Sequence, residues 1–373
     1  MNSKNLGVLG LVALVALGGG IWLASERSAS SLDGAKSLYP GLKQTLNDAT
    51  AVRIHTAGDK LAVEIARKDD AWGVTERHGY PADEAKLRKL LLGIANATVR
   101  EEKTANPKNY PSLGVEDVSA DDASGLRIEV AGVEPAVNLI VGKQGPGLDS
   151  QYVRKVGEEQ SWLIDTSVER SSTPEDWLRK SIVDVTADRI QSATIETKGA
   201  KPYTAAKESR ADADFAVEPL PKGKELSSSG AANSLATALA GLTLSDVRLA
   251  SEFEDKPEAR ATYRTFDGLV VEFDGWSIED DRFVVARARF DEALAERFKV
   301  ASEQSEHADD SEAEKEADGA ASTPTTSEDN AATTPNVAEE AARLNAALEG
   351  WAFEIPDYKY DAIFKPLENM LKK

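Results

Sequence analysis

The groups best suited to bond-making in this 373-residue chain are its 64 carboxylates, because a pair of them can act as general acid and base. With so many acids, adjacent pairs arise from composition alone, and Asp69-Asp70, Asp121-Asp122 and Asp280-Asp281 are expected in turns. The three histidines, His55, His78 and His307, are scattered, and none stands at metal-ligand spacing from another. Cysteine is absent, which removes disulfides, thiolate metal ligands, a thiol nucleophile and a lipidated-cysteine anchor. There is no Gly-x-Ser-x-Gly elbow, no P-loop and no Gly-x-Gly-x-x-Gly after a strand. The run Gly142-Lys143-Gln144-Gly145-Pro146-Gly147 is glycine-rich, but it lies between two predicted strands, whereas a phosphate cradle requires a helix after it. The reading is therefore of no catalytic residues, no metal ligands and no cofactor.

The tryptophans are the remaining residues of chemical interest. Trp72, Trp162, Trp276 and Trp351 fall in or beside predicted strands, where alternation places them on an apolar face, and Trp177 opens the amphipathic run DWLRKSIVDV. The alternative to core packing is an exposed aromatic platform for an envelope glycan or peptide, for which Trp276 and Trp351 are the candidate contacts.

A formal net charge of -20 disfavours nucleic acid, since phosphate binding needs a basic stripe and none is present. From Leu6 to Ala24 no charge interrupts 19 residues, about the length that spans a hydrocarbon core as a helix. Lys4 precedes this stretch and Glu26-Arg27 follow it, so residues 1–30 are expected to form a transmembrane anchor with the N-terminus inside. A cleaved signal peptide is the competing reading. The body of the chain would then be periplasmic, held to the inner (cytoplasmic) membrane by a single span.

The elements that follow suggest one module twice, at 31–185 and 186–373. Val52 to Val74 alternates as a strand meander, and then Leu87, Leu90, Leu91 and Ile94 take helical spacing after Asp83, a candidate N-cap. A strand near Val99 and four more between Leu126 and Asp165 follow. The order recurs: a strand at Ile190–Glu196, FAVEPL in the place of WGVTER, and a helix with Leu235, Leu239 and Leu242 on one face. Val247-Arg248 then matches Val99-Arg100, and three strands from Ala261 to Phe290 match those that begin at Leu126, Ala136 and Gln151. The expected fold class is α+β, with two tandem, mostly antiparallel modules carrying one amphipathic helix each, after the N-terminal transmembrane helix.

Completing the second copy requires GWAFEIP, from Gly350, to pair with the strand ending near Phe290. A large insertion then sits at that hairpin tip. Its arms are helix-patterned around Leu294, Phe298 and Ala301 and around Val337, Leu344 and Leu348. Its middle, 302–336, contains ten acids and one lysine without a Leu, Ile, Val or aromatic residue, and is expected to be disordered.

The runs DDAWGVTERHGYPADEAKLRKLL, YPSLGVEDV, QYVRKVGEEQSWLID, DWLRKSIVDV and GWAFEIPDYKYDAIFKPLENML together resemble the domain-of-unknown-function family 4340. Its motifs are W-x-V followed by Y-P-A-D and a leucine helix, then L-G-V-E-D, and a closing W-x-F-E-I-P-x-Y. The resemblance implies one N-terminal span, an extracytoplasmic body, and association with ABC-type export systems like those linked to gliding motility. It brings no catalytic residues. The expectation is a non-enzymatic accessory or scaffold subunit with a transporter or other envelope protein as partner. An envelope glycan- or peptide-binding module is the alternative, and a hydrolase a more distant one.

Overall fold

The computed structural model describes residues 36–147, 149–299 and 336–372. The stretch Leu6–Ala24 read as an anchor, the acidic run 302–335 and His307 lie outside them. Among the described residues no helix is long and apolar enough to cross a membrane. The chain is a mixture of helix and mostly antiparallel sheet, and it divides into two compact units between Arg179 and Lys180.

The first unit contains β1 (Lys36–Ser37), β2 (Ala51–Thr56), β3 (Lys60–Lys68), β4 (Ala71–Val74), β5 (Tyr80–Pro81), helix α1 (Glu84–Asn96), β6 (Thr98–Glu102), β7 (Leu126–Ala131), β8 (Val137–Gln144), β9 (Gln151–Lys155) and β10 (Ser161–Ile164). Its ten strands run in the order β1-β6-β10-β9-β8-β7-β2-β3-β4-β5. Alternation gives the sheet an apolar face through Val52, Ile54, Val63, Ile65, Val74, Ile128 and Leu139, all fully buried. Helix α1 adds Leu87, Leu90 and Ile94 to the core, each contributing about 2 kcal/mol by leaving water. Its start is fixed as expected: the Asp83 carboxylate accepts the Lys86 backbone N–H at 3.0 Å.

A second, smaller core joins Tyr110, Val115 and Ile140. Arg154, 3% exposed, is tied into the same region. Its guanidinium lies 4.6 Å from the Tyr110 ring centroid, donates to the Val115 carbonyl at 2.8 Å and pairs with Asp117 at 2.9 Å. The glycine-rich run falls where an ordinary hairpin needs it. Gly142 lies in β8, and a Cβ there would come within 2.4 Å of the Leu113 carbonyl oxygen. The chain returns as β9 at Gln151, so no helix follows the glycines.

The second unit contains β11 (Ser181–Val183), β12 (Ile190–Thr197), β13 (Tyr203–Ala206), β14 (Ala216–Glu218), β15 (Leu242–Thr243), β16 (Asp246–Leu249), β17 (Ala259–Thr265), β18 (Leu269–Ile278), β19 (Asp281–Phe290), α2 (Val337–Leu348), β20 (Trp351–Glu354) and α3 (Asp357–Ile363). Its main sheet runs β14-β13-β12-β17-β18-β19-β20-β16. This is the order in which the corresponding strands β4-β3-β2-β7-β8-β9-β10-β6 run in the first sheet. The strand at Gly350 does meet the one ending at Phe290, through Phe283↔Glu354 and Val284↔Phe353, and it extends its pairing with β16.

One expectation needs correction here. The second amphipathic helix is replaced by a 3-10 helix over Ser229–Thr237, in a stretch whose Ser, Gly, Asn and Thr are weak α-helix formers. Leu235, Leu239 and Leu242 are all fully buried, but Leu242 belongs to β15 and not to a helix face. Ser181–Val183, which follows the division between the two compact units, pairs with Leu242–Thr243.

The phenols of Tyr203 and Tyr263 donate to the Lys365 and Ile363 carbonyls at 2.6 and 2.9 Å, joining the sheet to the C-terminal segment. Burial holds both phenols above their ordinary titration range. Just before β12, Arg189 donates to both oxygens of Glu340 in α2, at 2.8 and 2.9 Å, and to Asp267 at 2.9 Å. The Phe298 ring, in the helical stretch 292–299, meets Phe266 edge-on at 4.9 Å.

Candidate functional site

Asp69-Asp70 occupies the β3–β4 turn, Asp121-Asp122 lies in a turn, and Asp280-Asp281 spans the β18–β19 turn. Among the described residues no group of three or more His, Asp or Glu is placed to hold a metal. Where a carboxyl departs from its ordinary range it moves down, as it does for Asp188, hydrogen-bonded by Thr186. Glu169 behaves alike: burial pushes its carboxyl up, but hydrogen bonds from Ser171 and the Lys86 charge outweigh that. A general acid poised for chemistry shifts the other way.

The two tryptophans named as contacts are not brought together. Trp276 is 9% exposed, packs with Val285 and Ala352, and donates its indole N–H to the Asp255 carbonyl at 3.0 Å. Phe253 tilts against it at 5.3 Å, so its ring is covered and forms no open platform. Trp351 precedes Ala352 in the same strand, which turns it to the opposite sheet face, where it is half-buried. Trp177 is fully buried, with Lys86 Nζ 4.8 Å from its ring centroid.

A different tryptophan borders open space. Arg67 and Trp72 are cross-strand partners in the β3–β4 hairpin, and with helix α1 they frame a groove of about 390 Å3. Leu46, Leu87, Leu91 and Leu92 supply its apolar lining, with Asn47, Arg67, Glu84 and Arg88 as the polar members. The groove follows from the sequence of α1. Leu90, Leu91 and Leu92 are successive, and at about 100° per residue three neighbours cannot all face one core. Leu90 is buried, Leu91 half-buried and Leu92 38% exposed.

The opposite wall is held firmly. Arg67 donates to the Asn47 carbonyl at 2.9 Å and to the Asp70 carboxylate at 2.8 Å. Gly73, next to Trp72, packs so tightly that a Cβ would lie 2.5 Å from the Gly79 carbonyl oxygen. The backbone then knits Tyr80-Pro81-Ala82-Asp83 between two neighbours. The Trp72 carbonyl accepts the Ala82 N–H at 2.8 Å, the Asp83 N–H donates to the Trp177 carbonyl at 2.7 Å, and the Arg179 N–H donates to the Pro81 carbonyl at 2.9 Å.

The lining offers apolar contact and fixed charge, with no nucleophile and base within reach of one another. A second concavity, of about 590 Å3, shares Trp72 and runs past Lys68, Thr75, His78 and Pro81. Sequence reasoning had placed Trp72 in the core and had not singled out Arg67, Arg88 or Leu92. The triple leucine was the available signal.

No curated protein and no solved structure matches the chain. A family model does match, over residues 72–265, just over half of the chain, and it starts at the tryptophan that borders the groove. The chain therefore belongs to the family described as Domain of unknown function (DUF4340).

Proposed function

We propose that this protein is a non-enzymatic accessory subunit of the inner (cytoplasmic) membrane, held by Leu6–Ala24, with an extracytoplasmic body that docks on an envelope protein. In this reading the shared strand order of the two sheets reflects one module used twice after a single transmembrane helix. A permease of an ABC-type transport system is the partner that the family resemblance suggests. The observation that carries the docking role is the Trp72 groove, where family-motif residues Trp72, Leu87 and Leu91 leave apolar surface beside the exposed Leu92 without a reactive group among them.

The test is a pull-down of the tagged full chain from solubilised membranes, with a photo-crosslinking amino acid at position 92. Cross-linking to a membrane transporter or another envelope protein is the expected result. Recovery of the chain with no such partner counts against the reading. Release of the body into the soluble fraction of unbroken cells would overturn the anchor.

A further inference from the structure

We infer that the groove beside Trp72 takes an amphipathic segment of a partner polypeptide that carries apolar side chains together with a carboxylate. This deepens the docking reading above and rests on it. The volume comes first: about 390 Å3 between α1 and the β3–β4 hairpin accommodates roughly three aliphatic side chains, about what one amphipathic segment presents over two turns. The floor suits such a guest, because Leu46, Trp72, Leu87 and Leu91 are apolar.

Charge supplies the second half. The chain as a whole carries -20, yet this groove is bordered by two guanidinium groups, Arg67 and Arg88. Arg67 is already pinned to Asn47 and Asp70, which fixes its position rather than leaving it to search. Arg88 is exposed and, among the described residues, makes no hydrogen bond or ion pair. A carboxylate on the guest finds its partner there. Glu84, one turn earlier on the same helix edge, repels that carboxylate and so favours one direction of the guest along the groove. A purely apolar ligand would leave the Arg88 charge unmatched, and a basic segment would be repelled by it, since Arg67 is already paired with Asp70.

The experiment uses the full chain, immobilised in detergent, and a random peptide library displayed on phage as the probe. Enriched peptides are expected to contain at least two apolar residues and an Asp or Glu. A synthetic copy of the best one should bind at least about fivefold more weakly to the Arg88→Glu chain, keep most of its affinity for Arg88→Lys, and lose affinity as salt rises. Arg88 is exposed, so unchanged circular dichroism for Arg88→Glu separates binding from folding. Leu92→Asp should abolish binding.

Enrichment of basic peptides, peptides without acids whose binding ignores Arg88→Glu, or no enrichment over the Leu92→Asp chain would each overturn the inference. The outcome is separable from the docking reading. A pull-down that fails while acidic peptides still bind counts against the accessory role alone. A pull-down that survives Leu92→Asp counts against the groove alone.

Discussion

The side-chain oxygen of Asn345, in α2, accepts the backbone N–H of Ala288, in β19, at 3.1 Å. A helix side chain thus stands where a neighbouring strand would otherwise offer a carbonyl. In the first sheet the corresponding strand β9 is paired with β10 at four positions, Gln151 to Arg154. In the second, β20 meets β19 only at Phe283 and Val284, and α2 lies along the remainder. Covering a bare strand edge with a helix limits its pairing with foreign strands. Replacing Asn345 by Ala leaves the Ala288 N–H without its acceptor and should cost about 1 kcal/mol, read as a lower urea midpoint with unchanged slope. Amide exchange at Ala288 should quicken; unchanged exchange there would show that the contact does not protect the edge.

Arg189 holds the same helix from its other end. Its fork spans Glu340 and Asp267, and the hydrogen bonds it donates to Glu340 keep the guanidinium above its already high ordinary range. The three side chains are about a fifth to a quarter exposed, so screening trims the interaction without abolishing it. Arg189→Met should lower stability by about 1–3 kcal/mol, with Glu340→Gln at the small end of that range. A thermal midpoint equal to that of the parent would remove the staple from the account.

Gly73→Ala is expected to be among the most damaging single-atom additions in the first unit. The new Cβ would meet backbone at 2.5 Å, and the Gly79 carbonyl cannot rotate away as a side chain could. A loss of about 2 kcal/mol or more is expected. Gly93→Ala, in α1, provides the control: nothing lies within 4 Å of its added methyl, and the helix should gain up to about 1 kcal/mol. Equal effects from the two substitutions would contradict the close approach.

Trp177→Ala empties a fully buried site, with the Lys86 ammonium left over a vacancy and the Ser171 carbonyl deprived of its indole donor. The expected cost is about 3–5 kcal/mol. Trp177→Phe should retain most of the packing and lose about 1 kcal/mol with the hydrogen bond. Chemical denaturation of both variants distinguishes packing from hydrogen bonding by their difference.

Acid stability follows from the carboxyls of Glu169 and Asp188, both below their ordinary values in the fold. A depressed carboxyl favours the folded state above its unfolded pKa, 4.5 for Glu169, and that contribution is lost as pH falls through the lower folded value. Stability should therefore be flat from neutrality to about pH 5 and decline below it. Glu169→Gln should lie below the parent at pH 7 and converge with it in acid. Parallel curves at all pH values would remove Glu169 from the explanation.

Much of this architecture is legible in the amino-acid sequence. Period-two alternation marked the strands because each has one buried face, and Asp83 before Leu87, Leu90 and Ile94 marked α1 because cap and stripe are local signals. The expected pairing of Gly350–Pro356 with the strand ending at Phe290 came from element order alone, and the register bears it out. What escaped was decided by distant partners. Leu235, Leu239 and Leu242 satisfy helical spacing, yet Leu242 pairs with Val183 across the start of the unit. Trp276 was a candidate contact because nothing local announces Phe253 or the Asp255 carbonyl as its cover. The groove was hidden for the same reason. Arg67 and Asn47 are twenty positions apart, and Leu92 reads as one more core leucine until the helix has a direction.

The backbone stitching of Pro81 and Asp83 to Trp177 and Arg179 carries a practical meaning for dissection of the chain. The wall of the groove is finished by residues that come last in its unit, more than a hundred positions downstream of Trp72. A fragment cut after β10, although it would retain every strand of the first sheet and all of α1, would leave the cap of that helix hanging on one side. The smallest piece worth isolating for binding work ends at Arg179, and a shorter one that failed to bind would report a torn seam rather than a missing site.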